Sequence, residues 1–170
     1  MFGSLKTFLS HWTGGAKPPQ ATDYNRWLVT AALLTRVATV QSEMSEVRRR
    51  AIYTALRSNF GLDDCSTVRV LEEAAAANRS AIDLYHFTRQ LDEILDDRGR
   101  NQIVRMMWEV VYADGQANEF EANVIWRAAD LLGVSSRQRV ELRQLVSADG
   151  ASPAQDRGVL PQLAVRATAT

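Results

Sequence analysis

No proline occurs between Gln20 and Ser152; the four prolines are Pro18 and Pro19 near the start and Pro153 and Pro161 near the end. The strongest helix breaker is thus missing from the whole interior. Apolar residues recur there at helical spacing. Leu84, Phe87, Leu91, Ile94 and Leu95 share one stripe, and Ile103, Met106, Met107 and Val110 share another. Trp27, Ala31, Leu34 and Ala38 mark an earlier helix, Val47, Ala51, Ala55, Leu56 and Phe60 the next, and Val68, Leu71 and Ala75 a further one. No run sustains the period-two alternation of a half-buried strand. The pattern predicts an all-α chain, a single compact bundle of about seven helices, at roughly 23–40, 45–59, 64–78, 81–97, 100–113, 119–132 and 136–147.

Composition narrows the function classes. At 170 residues, with 46% hydrophobic and 24% charged, the chain suits one globular domain. Twenty Lys and Arg balance twenty Asp and Glu, so no global field draws it to nucleic acid, and no nucleic-acid partner is expected. The single cysteine, Cys65, excludes an intrachain disulfide and a cysteine zinc site and suits a reducing compartment. The first dozen residues lack the continuous apolar run of a secretory signal, and no stretch approaches the roughly 20 apolar residues of a membrane span. A cytoplasmic location is expected.

The ends differ in character. Residues 1–22 read as an amphipathic N-terminal segment and linker, 23–148 as the helical domain, and 149–170, rich in Ala, Gly, Pro, Gln and Thr, as a mobile tail. Phe2, Leu5, Phe8, Leu9 and Trp12 form an apolar stripe carrying one lysine, Lys6. A helix of about 11 residues is marginal alone, so docking on protein is expected; a membrane surface is the less favoured alternative.

Helix ends carry their own chemistry. Asn118-Glu119-Phe120-Glu121 reads as a capping box, Ser135 with Gln138 as another, and Gly61 and Gly133 as helix stops. The segment from Val40 to Leu62 can be laid on that from Ala113 to Val134, with an offset of 73 residues at the turn and 72 at the glycine. A duplicated helical unit is the economical explanation.

On these residues the chain resembles the TerB-like family, named for tellurite resistance protein B. The resemblance covers roughly residues 23–147 and is carried by Ala113-Asp114-Gly115, Glu121, the run from Trp126 to Ser135, and Asp83-Leu84-Tyr85 with Phe87-Thr88. It implies an all-helical fold with two pseudo-equivalent halves, a cytoplasmic non-enzymatic module, and an acidic site discussed as binding a divalent metal. Where the family often places an acid-glycine turn and a following Glu in the first half, this chain has Gln41, Ser42 and Arg48.

Asp114 and Glu121 are accordingly the candidate metal ligands. Continued helical phase would point both carboxylates inward, and a buried carboxylate needs a hydrogen bond, a counter-charge or an ion. In the structural reading Asp114 accepts turn amides while Glu121 completes the capping box. In the functional one they hold Ca²⁺ or Mg²⁺, the hard cations that oxygen ligands favour. A second acidic group, Asp92, Glu93, Asp96 and Asp97, reads as like-charge i, i+4 pairs at the negative end of a helix dipole. His86 falls off its apolar stripe and reads as exposed, and Cys65 beside Asp63 and Asp64 is a poor thiolate nucleophile.

Three functions follow as expectations. The first is a TerB-like module that binds a divalent cation and docks protein partners in tellurite or metal stress. The second is a metal-free helical interaction adaptor, and the third a metal-dependent hydrolase built on Asp92, Asp96, Asp114 and Glu121.

Overall fold

A computed structural model describes residues 21–80 and 83–150. It contains seven helices and no strand among the described residues: α1 (Ala21–Ala38), α2 (Glu46–Phe60), α3 (Asp64–Arg79), α4 (Leu84–Ile94), α5 (Asp97–Tyr112), α6 (Glu119–Leu131) and α7 (Ser136–Gly150). The N-terminal stripe from Phe2 to Trp12 and the tail beyond residue 150 lie outside the described residues. The first helix begins at Ala21, and the last runs to Gly150, past the expected boundary at 148.

Two helices are apolar around most of their circumference, and these form the centre. In α1 every residue from Val29 to Leu34 is buried, together with Val37 and Ala38. In α5 Ile103, Val104, Met106, Met107, Trp108, Val110 and Val111 are buried. Such helices cannot lie on a surface. α1 packs against α2, α3, α4, α5 and α6, while α5 packs against α1, α2, α6 and α7. Each fully buried aliphatic side chain in this core contributes about 1.5–3 kcal/mol relative to exposure.

The packing follows the sequence duplication. α1 pairs with α2 and α3 as α5 pairs with α6 and α7, α2 touches α3 as α6 touches α7, and each central helix also touches the other half's second helix. Both second helices begin at a side-chain cap, Ser45 accepting from the Arg48 N–H and Asn118 from the Glu121 N–H. Both are followed by a glycine in the left-handed region, Gly61 at φ 65° and Gly133 at φ 68°. At the second, Gly133 N–H donates to Asp130 C=O and Val134 N–H to Ala129 C=O, the paired bonds of a Schellman stop. The helix α4 has no counterpart and joins the halves.

One expected helix is shorter than its pattern. Instead of spanning 81–97, α4 starts after Asp83, which caps it by accepting the His86 N–H at 2.9 Å, and stops at Ile94 with Leu95 extended. The acidic cluster therefore straddles a boundary. Asp96 is the N-cap of α5, accepting the Gly99 N–H at 2.8 Å, where its charge meets the positive end of a dipole. Asp92 pairs with Arg100 at 3.0 Å. The expected like-charge pairs on one helix do not form, because capping chemistry at Asp96 outweighs the continuing apolar phase.

The aromatic anchors also face inward. Trp108 is fully buried, with the Trp126 ring edge-on at 5.8 Å, Tyr112 at 5.8 Å and the Arg143 guanidinium 5.1 Å from its centroid. Arg143 thereby fastens α7 to α5, helped by its Nε donating to Tyr112 Oη at 3.2 Å. Gly133→Ala is expected to destabilise the fold by about 1–2 kcal/mol, the cost of an L side chain in the left-handed region. The check is the urea midpoint at unchanged denaturant slope.

Candidate functional site

The two candidate metal ligands meet an arginine from the other half of the duplication. Glu121, three residues after the α6 cap, faces inward because Ile125, Ala128 and Ala129 on the same side of that helix are buried. Its side chain is only 2% exposed. One oxygen, Oε2, accepts the Asn118 N–H at 3.0 Å and closes the expected capping box. The other, Oε1, accepts from Arg48 Nη1 at 2.5 Å.

Arg48 lies in the first turn of α2, with its side chain 8% exposed. The same Nη1 donates to the C=O of Ala38, the last residue of α1, at 3.1 Å. Its Nε lies 2.9 Å from Asp114 Oδ2, a charge contact without the alignment of a directed hydrogen bond. The guanidinium thus spans a helix end and two carboxylates. Burial opposes its charge, but the hydrogen bond and charge of Glu121, followed by the charge of Asp114, outweigh burial and hold its pKa above the ordinary arginine value.

Asp114 occupies a different position from the one its phase suggests. α5 ends at Tyr112, so Asp114 sits in the turn, 30% exposed at the rim. It takes no turn amide; Ser45 Oγ donates to its Oδ2 at 3.2 Å instead. Ser45 is also the α2 cap. The turn itself is closed by Gly115, at φ 135°, whose N–H donates to Tyr112 C=O at 3.2 Å. Gln41, the first-half counterpart of Asp114, is exposed.

Arg48 and Glu121 are 73 residues apart, the offset of the internal repeat. They are each other's counterparts, meeting where the halves join. The sequence reading noted Arg48 only as standing where the family often places a Glu in the first half, and missed it as the partner. The signal was available: a cation in one copy replaces the acid of the other at the same register, and pseudo-equivalent positions of a duplicated fold meet near its axis.

A divalent ion fits this residue set poorly. An arginine stays protonated at any accessible pH. At about 4 Å and an effective dielectric near 20, two unit charges repel by about 4 kcal/mol, so a divalent ion beside the guanidinium meets about 8 kcal/mol. A millimolar site supplies only about 4 kcal/mol. Among the described residues, no group of three or more His, Cys, Asp or Glu side chains lies close enough to hold an ion.

The remaining candidates are not brought together. Asp92 is tied to Arg100 and Asp96 to its helix N-terminus, so the four carboxylates proposed for a hydrolase do not converge. His86 is exposed, 2.6 Å from the amide nitrogen of Gln90. Cys65 is exposed.

Arg48→Met is expected to destabilise the fold by about 3–5 kcal/mol, the usual cost of removing one partner of a buried ion pair. Urea unfolding at neutral pH checks this value. A change within about 0.5 kcal/mol, typical of an ordinary surface site, would contradict it.

The family model for tellurite resistance protein TerB fits residues 28–144 of the chain. No curated protein and no solved structure matches the chain.

Proposed function

This chain belongs to the TerB family, and from that premise we propose that it is a non-enzymatic, metal-independent module that docks other proteins. The observation that carries the proposal is the guanidinium of Arg48 lodged against Glu121 and Asp114. A divalent ion would use the same two carboxylates as its ligands. In this chain their charge is met from within, so the junction of the halves is complete on folding and needs no dissolved ion to assemble it.

The rest of the surface supports docking over chemistry. The exposed sulfur of Cys65 and the exposed ring of His86 lie on separate helices. Large apolar side chains stand in solvent instead: Phe120 is 63% exposed, Leu145 54% and Val140 46%. Such residues become hot spots when a partner buries them. No helix among the described residues is long and apolar enough to cross a membrane. The docking role is placed in the cytoplasm, in keeping with the reducing compartment that the lone cysteine suits.

Thermal unfolding and partner capture together test this reading. With Ca²⁺ or Mg²⁺ at roughly ten millimolar, a site of about millimolar affinity would stabilise by about 1.4 kcal/mol, or roughly 3–6 °C at this chain length. No such shift is expected, and proteins captured on the full chain from its native cell should stay bound in EDTA. A saturable shift that disappears in Asp114→Asn, or capture that requires added Ca²⁺ or Mg²⁺, would replace this proposal with an ion-dependent one.

A further inference from the structure

Helices α2 and α5 lie side by side in opposite directions. The start of α2 meets the turn after α5, where Arg48 faces Asp114, and the end of α2 meets the first part of α5, where Gln102 Nε2 donates to Asn59 Oδ1 at 2.5 Å. An open groove of about 880 Å³ runs between them. Val47, Ala51 and Ala55, at helical spacing on α2, give it an apolar line of mostly small side chains, and Leu142 of α7 adds to it. Val47 stands 50% exposed.

Charge is spread unevenly along this groove. In its middle Arg105 is met by Glu109 at 2.8 Å and by Asp149 at 3.8 Å. Arg50 and Arg98 line it toward its two ends; both are exposed, and among the described residues neither has a carboxylate within ion-pair distance. The rise from Arg50 to Asn59, continued from Gln102 to Arg98, sets these two positions about 20 Å apart. The groove is therefore neutral at its centre and positive at both ends.

We infer that it takes an amphipathic helix of a partner protein, one with carboxylates near both ends and an uncharged middle. The inference rests on the docking reading above and gives it a surface and a partner chemistry. A helix of about 13 residues spans the 20 Å between the arginines. Ala51 and Ala55 let its side-chain ridge settle between α2 and α5, while its terminal carboxylates meet Arg50 and Arg98. An extended strand would find no free main-chain edge here to pair with. Nucleic acid is the poorer fit, because among the described residues no aromatic ring lines the groove for a base to stack on, and Glu109 interrupts the positive track.

A synthetic peptide tests this. The probe is a capped helix of about 16 residues, alanine and leucine in its middle and paired glutamates at each end, with a twin in which glutamine replaces every glutamate. Titrated into the isotope-labelled full chain, the glutamate probe should shift the Ala51, Ala55 and Gln102 amides saturably, and the glutamine twin should bind more weakly. Arg50→Gln and Arg98→Gln are each expected to weaken binding about 1.5- to 5-fold, the range for exposed ion pairs. Both side chains are exposed, so the core spectrum should be kept. With Arg50→Glu and Arg98→Glu combined, a lysine-ended twin should bind in preference to the glutamate probe. Shifts confined to other residues, equal affinity for the glutamate and glutamine probes, or a single-stranded oligonucleotide that shifts these amides at lower concentration than the probe would overturn the inference. The docking reading is judged separately: capture of the same proteins in EDTA by the chain with both arginines reversed would keep that reading and overturn this one.

Discussion

A carboxylate that is 98% removed from solvent, as the 2% exposure of Glu121 implies, must be met by positive charge or hydrogen bonds. Arg48 and the Asn118 N–H meet it, and much of the architecture follows from that need. Because Arg48 also donates to Ala38 C=O and faces Asp114, one side chain ties the end of α1, the start of α2, the turn after α5 and the start of α6. Residues from both halves of the duplication are thereby fixed at a single point. A buried ion pair often adds little net stability over an apolar pair of the same shape. What the structure shows here is geometric: position 48 of one half is held against position 121 of the other.

The duplication explains why the pair sits where it does. Two copies of a helix, turn, capped helix and glycine stop place equivalent residues on either side of their junction. Had both copies kept acids there, two sets of carboxylates would face one another, an arrangement that calls for a cation. This chain carries arginine in one copy and glutamate in the other, and the cation is covalently attached. The site lies close to the core, beside buried Ala38 and Ile125, so its chemistry is bound to the folding of the module. The docking proposal therefore rests on the apolar side chains left in solvent, Phe120, Val140 and Leu145.

Much of the fold was legible in the sequence. The proline-free interior, the helical stripes, the capping box at Asn118 and the stops at Gly61 and Gly133 each rest on local chemistry, and the seven helices followed from them; the TerB resemblance rested instead on particular motifs, Ala113-Asp114-Gly115 and the run from Trp126 to Ser135. The end of α4 was less legible because apolar phase continues through Leu95 while Asp96 starts a new helix; a short polar side chain fits both a helix surface and a cap. The environment of Asp114 was illegible for a different reason. Its contacts, Ser45 and Arg48, lie 69 and 66 positions away, and only the alignment of the two copies could have brought them into view. Arg48 is the first of three consecutive arginines, and burial, which local sequence does not show, separates it from exposed Arg49 and Arg50.

The claim that an internal cation joins the halves is tested most directly by a double-mutant cycle on Arg48→Met and Glu121→Gln, read by urea unfolding. Each single change should destabilise strongly, because each leaves the other partner buried without its counter-charge. The double variant should recover part of the loss, giving a coupling of about 2 kcal/mol or more, within the range for residues sharing one buried network. Effects that add within about 0.5 kcal/mol, as independent distant sites do, would show that Arg48 and Glu121 do not hold each other and would remove the basis for a metal-independent module.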